Sequence, residues 1–75
     1  MKLKQVKPKR LLKALLKIGF TIKRQKGSHV FIERIVRGKV FTTSISLHDK
    51  PLPQGTLHAI LTQTGMDEAE LTKYL

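Results

Sequence analysis

Two short turn signals, Lys26-Gly27-Ser28 and Arg37-Gly38, divide residues 20–45 into three segments rich in β-formers. The first, Phe20-Thr21-Ile22-Lys23-Arg24-Gln25, alternates apolar and polar residues. The second, His29 to Ile35, carries Val30, Phe31, Ile32 and Ile35. The third, Val40 to Ile45, carries Thr42 and Thr43. Turns this short leave no room for a crossover, so the three strands must pair as an antiparallel meander. Helical signals lie on both sides. Pro8 suits the first helical position, where its missing N–H costs nothing. Leu11, Leu12, Leu15, Leu16 and Ile18 recur at helical spacing up to a stop at Gly19. Lys9, Lys13 and Lys17 fall on the opposite side, giving an amphipathic basic helix of about three turns. After a loop stiffened by Pro51 and Pro53, Leu57, Ile60 and Leu61 mark a second helix that stops at Gly65. Asp67 and Glu70 form a capping box with Met66 and Leu71 at its staple positions, which opens a short third helix over 68–74. The expected fold class is α+β: a three-stranded antiparallel sheet with two helices on one face, plus a short C-terminal helix.

At 75 residues the chain is one small domain. A basic arm spans 1–7, the core unit 8–66 and the last helix 67–75. A chain this short buries about 60% of the surface it exposes when unfolded, and its stability should be roughly 4–11 kcal/mol. It has no cysteine, which excludes disulfides, thiolate metal sites and a thiol nucleophile, and fits a cytoplasmic setting. No apolar run is long enough for a membrane span. Lys13 and Lys17 interrupt any signal-peptide apolar segment.

Charge narrows the possible partners. The net charge is +10. Residues 1–48 hold thirteen of the fifteen Lys and Arg and a single acid, Glu33, whereas 49–75 hold Lys50 and Lys73 against four acids. The first two thirds of the chain therefore suit a polyanion: nucleic acid, an anionic membrane or an acidic protein.

Few side chains can do acid–base chemistry. There is no Gly-rich phosphate loop, no His-x-x-x-His and no carboxylate triad, so neither a metal nor another cofactor is expected. The three histidines are His29, His48 and His58. His29 opens a strand directly after a basic turn, with Lys23, Arg24 and Lys26 nearby. Cationic neighbours disfavour a further positive charge on its ring, which suits a general base. The alternative is a strand histidine that packs or faces solvent. His48 reads as a turn residue and His58 as an ordinary helix side chain. Phe31 and Phe41 read as core, the alternative being aromatics that stack bases on an open sheet.

Leu16-Lys17-Ile18-Gly19-Phe20, Arg24-Gln25-Lys26-Gly27-Ser28-His29, His48, and Pro53-Gln54-Gly55-Thr56-Leu57 with Ile60-Leu61 and Gly65-Met66 together resemble the HicA toxins of prokaryotic toxin–antitoxin systems over residues 8–66. The most specific element is Gly27-Ser28-His29 at its distance from Gly19-Phe20. The resemblance implies a fold like the double-stranded-RNA-binding domain. It implies the toxin component of a type II system, an endoribonuclease (mRNA interferase) that cleaves mRNA and halts translation. His29 is then the catalytic residue, and Lys23, Arg24, Lys26 and Ser28 are the expected RNA-binding residues. It also implies a HicB-like antitoxin that binds the toxin and occludes the site. A metal-independent route would use the His29 imidazole as general base toward a ribose 2′-OH. His48 and Lys26 are the candidates for the acid.

Two other readings compete. One is an RNA-binding module of the same fold without chemistry. The other is a membrane-seeking basic helix, which has no need of a downstream sheet, paired prolines and a capping box.

Overall fold

The computed structural model describes residues 6–47 and 50–75. Their order is α1 (Pro8–Ile18), β1 (Thr21–Lys26), β2 (His29–Val36), β3 (Lys39–Ser46), α2 (Gln54–Thr64) and α3 (Glu68–Thr72). The strands form one antiparallel sheet in the order β1-β2-β3. The helices, strands and turns expected from the sequence are all present. α3 is shorter than the capping box and its apolar follow-on suggested, ending at Thr72.

A single apolar cluster joins the layers. Leu11, Ala14 and Leu15 of α1 and Leu57, Ile60 and Leu61 of α2 pack with Val30, Ile32 and Ile45 of the sheet. Both main helices therefore cover the same sheet face, and their spacing of three and four residues aims one stripe of each helix inward. Val6 belongs to this core, and its carbonyl accepts from the Leu52 N–H at 2.9 Å. That bond ties the start of α1 to the loop before α2. The Thr43 hydroxyl donates to Gln63 Oε1 at 2.6 Å, joining β3 to α2 beside the apolar contacts.

α3 is held by two local devices. The Asp67 carboxylate accepts from the Glu70 N–H at 2.8 Å, satisfying a donor at the helix start. Met66 and Leu71, one on each side of that cap, are both buried. Leu71 is fully enclosed, so the short helix is anchored to the core by one leucine.

Gly65 ends α2 in the left-handed region, with φ +69°. A Cβ there would lie 2.7 Å from Phe41 Cε1, so both the conformation and the close approach require glycine. Gly55, in the first turn of α2, has open space around it. Gly65→Ala should lower stability by more than about 1 kcal/mol, whereas Gly55→Ala should raise it by about 0.4–1 kcal/mol. Urea unfolding followed by circular dichroism would check both, and equal effects would contradict this account of Gly65.

Candidate nucleic-acid interface

Strand alternation decides what the uncovered sheet face carries. Val30 and Ile32 are buried under the helices, so His29, Phe31 and Glu33 point the other way. The cross-strand register places Lys26 and Ser46 directly opposite His29, and Arg24 and Ser44 opposite Phe31. Directly paired residues share a face. One end of the open face therefore groups Lys26, His29 and Ser46, with Arg24, Phe31 and Ser44 in the next row.

An irregularity in β1 adds to this. Register slips between Ile22 and Arg24, leaving Lys23 as an extra residue in the strand. A bulge of this kind bends the strand and re-aims its side chains. Lys23 reaches Glu33, with Nζ 3.4 Å from Oε1, while Arg24 lies over the Phe31 ring, 4.7 Å from its centroid. Two consecutive basic residues thus serve one face, which strict alternation would not permit.

The turn before His29 is fixed by backbone geometry. Gly27 has φ +60°, and Ser28, the second loop residue, has no positive φ. Positive φ at the first loop position suits a two-residue hairpin whose twist matches its strands. The Ser28 carbonyl accepts from the Leu47 N–H at 2.7 Å, so the turn is also tied to the chain leaving β3. His29 itself is solvent-exposed.

The sequence-derived candidates separate accordingly. Lys23, Arg24, Lys26 and His29 come together on the open face, and Ser28 sits at its rim in the turn. His58 lies on α2, exposed, beside Gln54 and Glu68 and away from that face. His48 lies outside the described residues. Phe41 packs against the core as expected. Phe31 does not. It is half-buried on the open face beneath Arg24, because its neighbours Val30 and Ile32 claim the covered side. Ser44 and Ser46 had no signal of their own in the sequence, since only the β2–β3 register brings them beside Phe31 and His29. Among the described residues, no three metal-ligating side chains come together.

Residues 8–66 match the family described as HicA toxin of bacterial toxin–antitoxin. The chain belongs to the HicA toxin family. That match covers α1 through the end of α2, and so the whole sheet and both helices packed on it. No curated protein matches the chain. HicA membership is consistent with an RNA-acting role in a toxin–antitoxin system. No helix among the described residues is long and apolar enough to cross a membrane.

The two phenylalanines paired with Arg side chains provide a check on the faces. Phe20 is buried in the core, whereas Phe31 shields only one side of its ring beneath Arg24. Phe20→Ala should cost about 3–5 kcal/mol, and Phe31→Ala no more than about 1–2 kcal/mol. Similar losses in chemical denaturation would place Phe31 in the core after all.

Proposed function

We propose that this HicA-family protein is a metal-independent endoribonuclease that cleaves mRNA and so inhibits translation, with His29 as its general base. The observation that carries the reading is the exposed His29 between Lys26 and Ser46, on a face that also presents Arg24 and Lys23. A phosphodiester approaching this end meets a proton acceptor and cations together.

The His29 imidazole takes the proton from a ribose 2′-OH, and the 2′-oxygen attacks the adjacent phosphorus. The bond to the 5′-oxygen breaks. That oxygen takes a proton, for which the Lys26 ammonium, paired across the strands with His29, is the candidate donor among the described residues. The products are a 2′,3′-cyclic phosphate and a 5′-hydroxyl. Acid–base help of this kind contributes about 10²–10⁴-fold. Arg24 and Lys26 offset the charge gathering on the phosphate. Lys23 contributes less, because Glu33 already opposes its charge. The Ser28 hydroxyl, at the rim, supplies a hydrogen-bonding group to the same RNA. Phe31 and the guanidinium above it form a flat surface on which an unpaired base can stack.

Regulation follows from the same face. A HicB-like antitoxin, acidic where it meets Arg24 and Lys26, would seal the uncovered side of the sheet. At the end away from His29, Ile35 and Val40 pair across the strands and are 63% and 54% exposed. They offer that partner an apolar anchor, and clustered cations speed its capture.

His29→Ala should abolish RNA cleavage and growth arrest while leaving the circular dichroism spectrum unchanged. The parent should cleave in EDTA and leave cyclic or 3′-phosphate ends. A folded variant that cleaves at the parental rate would remove His29 from the mechanism, and 3′-hydroxyl ends would remove the 2′-OH route. RNA binding without any cleavage would favour a binding module instead. For the partner, coexpression with the neighbouring gene should yield a complex that no longer cuts RNA. Ile35→Asp should weaken that complex at least tenfold in a titration without changing cleavage by the free toxin. A complex that cleaves at full rate would show that the antitoxin binds elsewhere.

A further inference from the structure

We propose that RNA held at His29 continues around the end of the domain onto the outer side of α1, where Lys7, Lys9, Arg10 and Lys13 take up its phosphates. The inference rests on the ribonuclease reading for where the strand is cut, but the α1 surface is an observation of its own. These four side chains line one hollow. Among the described residues none of them has an acidic side-chain partner, and the only salt bridge between side chains is that of Lys23 with Glu33. Arg10 donates one bond to the Leu75 carbonyl oxygen at 2.9 Å, which steadies the guanidinium and leaves most of its donors for another acceptor.

Chain direction brings this hollow to the His29 end. β2 begins at His29 and β3 finishes opposite it at Ser46. The Leu47 N–H bonds back to Ser28, and five residues later the Leu52 N–H bonds to Val6, immediately before α1. The other end of α1 lies toward the middle of the sheet's far half, where Gly19 approaches Arg34. α1 thus starts toward the His29 end of the sheet and runs away from it. Exposed Lys50 stands in the connecting segment. The described cations along this stretch of chain are Lys26 on the sheet, Lys50 in the connecting segment and those of the first turns of α1.

The hollow favours a nucleic-acid backbone over a protein. The described residues that line it are all Lys or Arg, with no aromatic or aliphatic side chain among them of the kind that protein interfaces bury at their centres. Lys9 and Lys13 are one turn apart, about 6 Å along the axis, so they present successive charges to an extended chain of phosphates. A dinucleotide has one phosphate and fills the His29 end alone. A longer strand has phosphates left for α1.

The test uses the full chain and the Lys9→Gln/Lys13→Gln variant, whose substitutions lie on the exposed side of the helix and keep good helix formers. Binding of a long, uncleavable 2′-O-methyl RNA is followed by fluorescence anisotropy over a salt series. Each lost phosphate contact should flatten the slope of log K against log salt by about 0.7, or about 1.4 for the pair. The affinity lost between about 50 and 200 mM salt should then shrink about sevenfold. Cleavage of a dinucleotide should be unchanged, while kcat/KM for a long RNA should fall. An unaltered salt slope would overturn the proposal, as would an equal loss on the dinucleotide. So would a variant that keeps its RNA slope but no longer captures an acidic protein or anionic vesicles. If neither protein cleaves any RNA but the slope flattens as expected, the α1 surface stands and the ribonuclease reading fails.

Discussion

Everything on the open sheet face depends on the burial of Val30 and Ile32. A strand's side chains alternate, so committing these two residues to the helices commits His29, Phe31 and Glu33 to the opposite side. A slip of one residue would invert the set, exposing two aliphatic side chains and hiding an imidazole and a carboxylate beneath α1 and α2. The same burial that stabilises this small domain therefore sets the exposure of its candidate catalytic group. Leu11, Leu15, Leu57, Ile60 and Ile45 enforce the choice by filling the covered side.

Electrostatics work in the other direction. Thirteen cations in the first 48 residues repel one another, and among the described residues one salt bridge opposes them. Excess charge of one sign weakens a compact state while keeping it soluble. A domain with a core this small can carry that strain because its cations stand on exposed positions, screened by water and salt. An RNA strand or an acidic protein laid over Lys26, Arg24 and the start of α1, as proposed, would relieve the same repulsion. Binding and stability are thereby linked, since anything that binds the folded state alone stabilises it.

The bulge at Lys23 shows how one residue enlarges a candidate functional surface. A regular β1 would send Lys23 and Arg24 to opposite faces. The extra residue lets Lys23 meet Glu33 while Arg24 covers Phe31. Glu33 holds one cation to the sheet, and Phe31 holds the other by its ring. Both are thus positioned before any ligand arrives, which lowers the entropy lost on binding.

Much of the fold was legible in the sequence because its signals are local. Proline at a helix start, glycine at a helix stop, a capping box and two-residue turns each act within a few residues, and all of them mark the elements observed. The grouping of basic residues with His29 was also visible, since Lys23, Arg24, Lys26 and His29 are close along the chain. The order of motifs from Gly19-Phe20 to Gly65-Met66 pointed to the HicA family before any packing was known. Other features required the tertiary structure. Phe31 has the composition of a core residue, and only the competing burial of Val30 and Ile32 turned it outward. Ser44 and Ser46 joined the site through pairing with residues of β2 far back in the sequence. The proposed path from the His29 end to Lys7, Lys9, Arg10 and Lys13 rests on the backbone bonds from Leu47 to Ser28 and from Leu52 to Val6. Local conformational preference is encoded over one or two turns of chain, whereas the choice of face and the meeting of distant segments are settled only when the whole core closes.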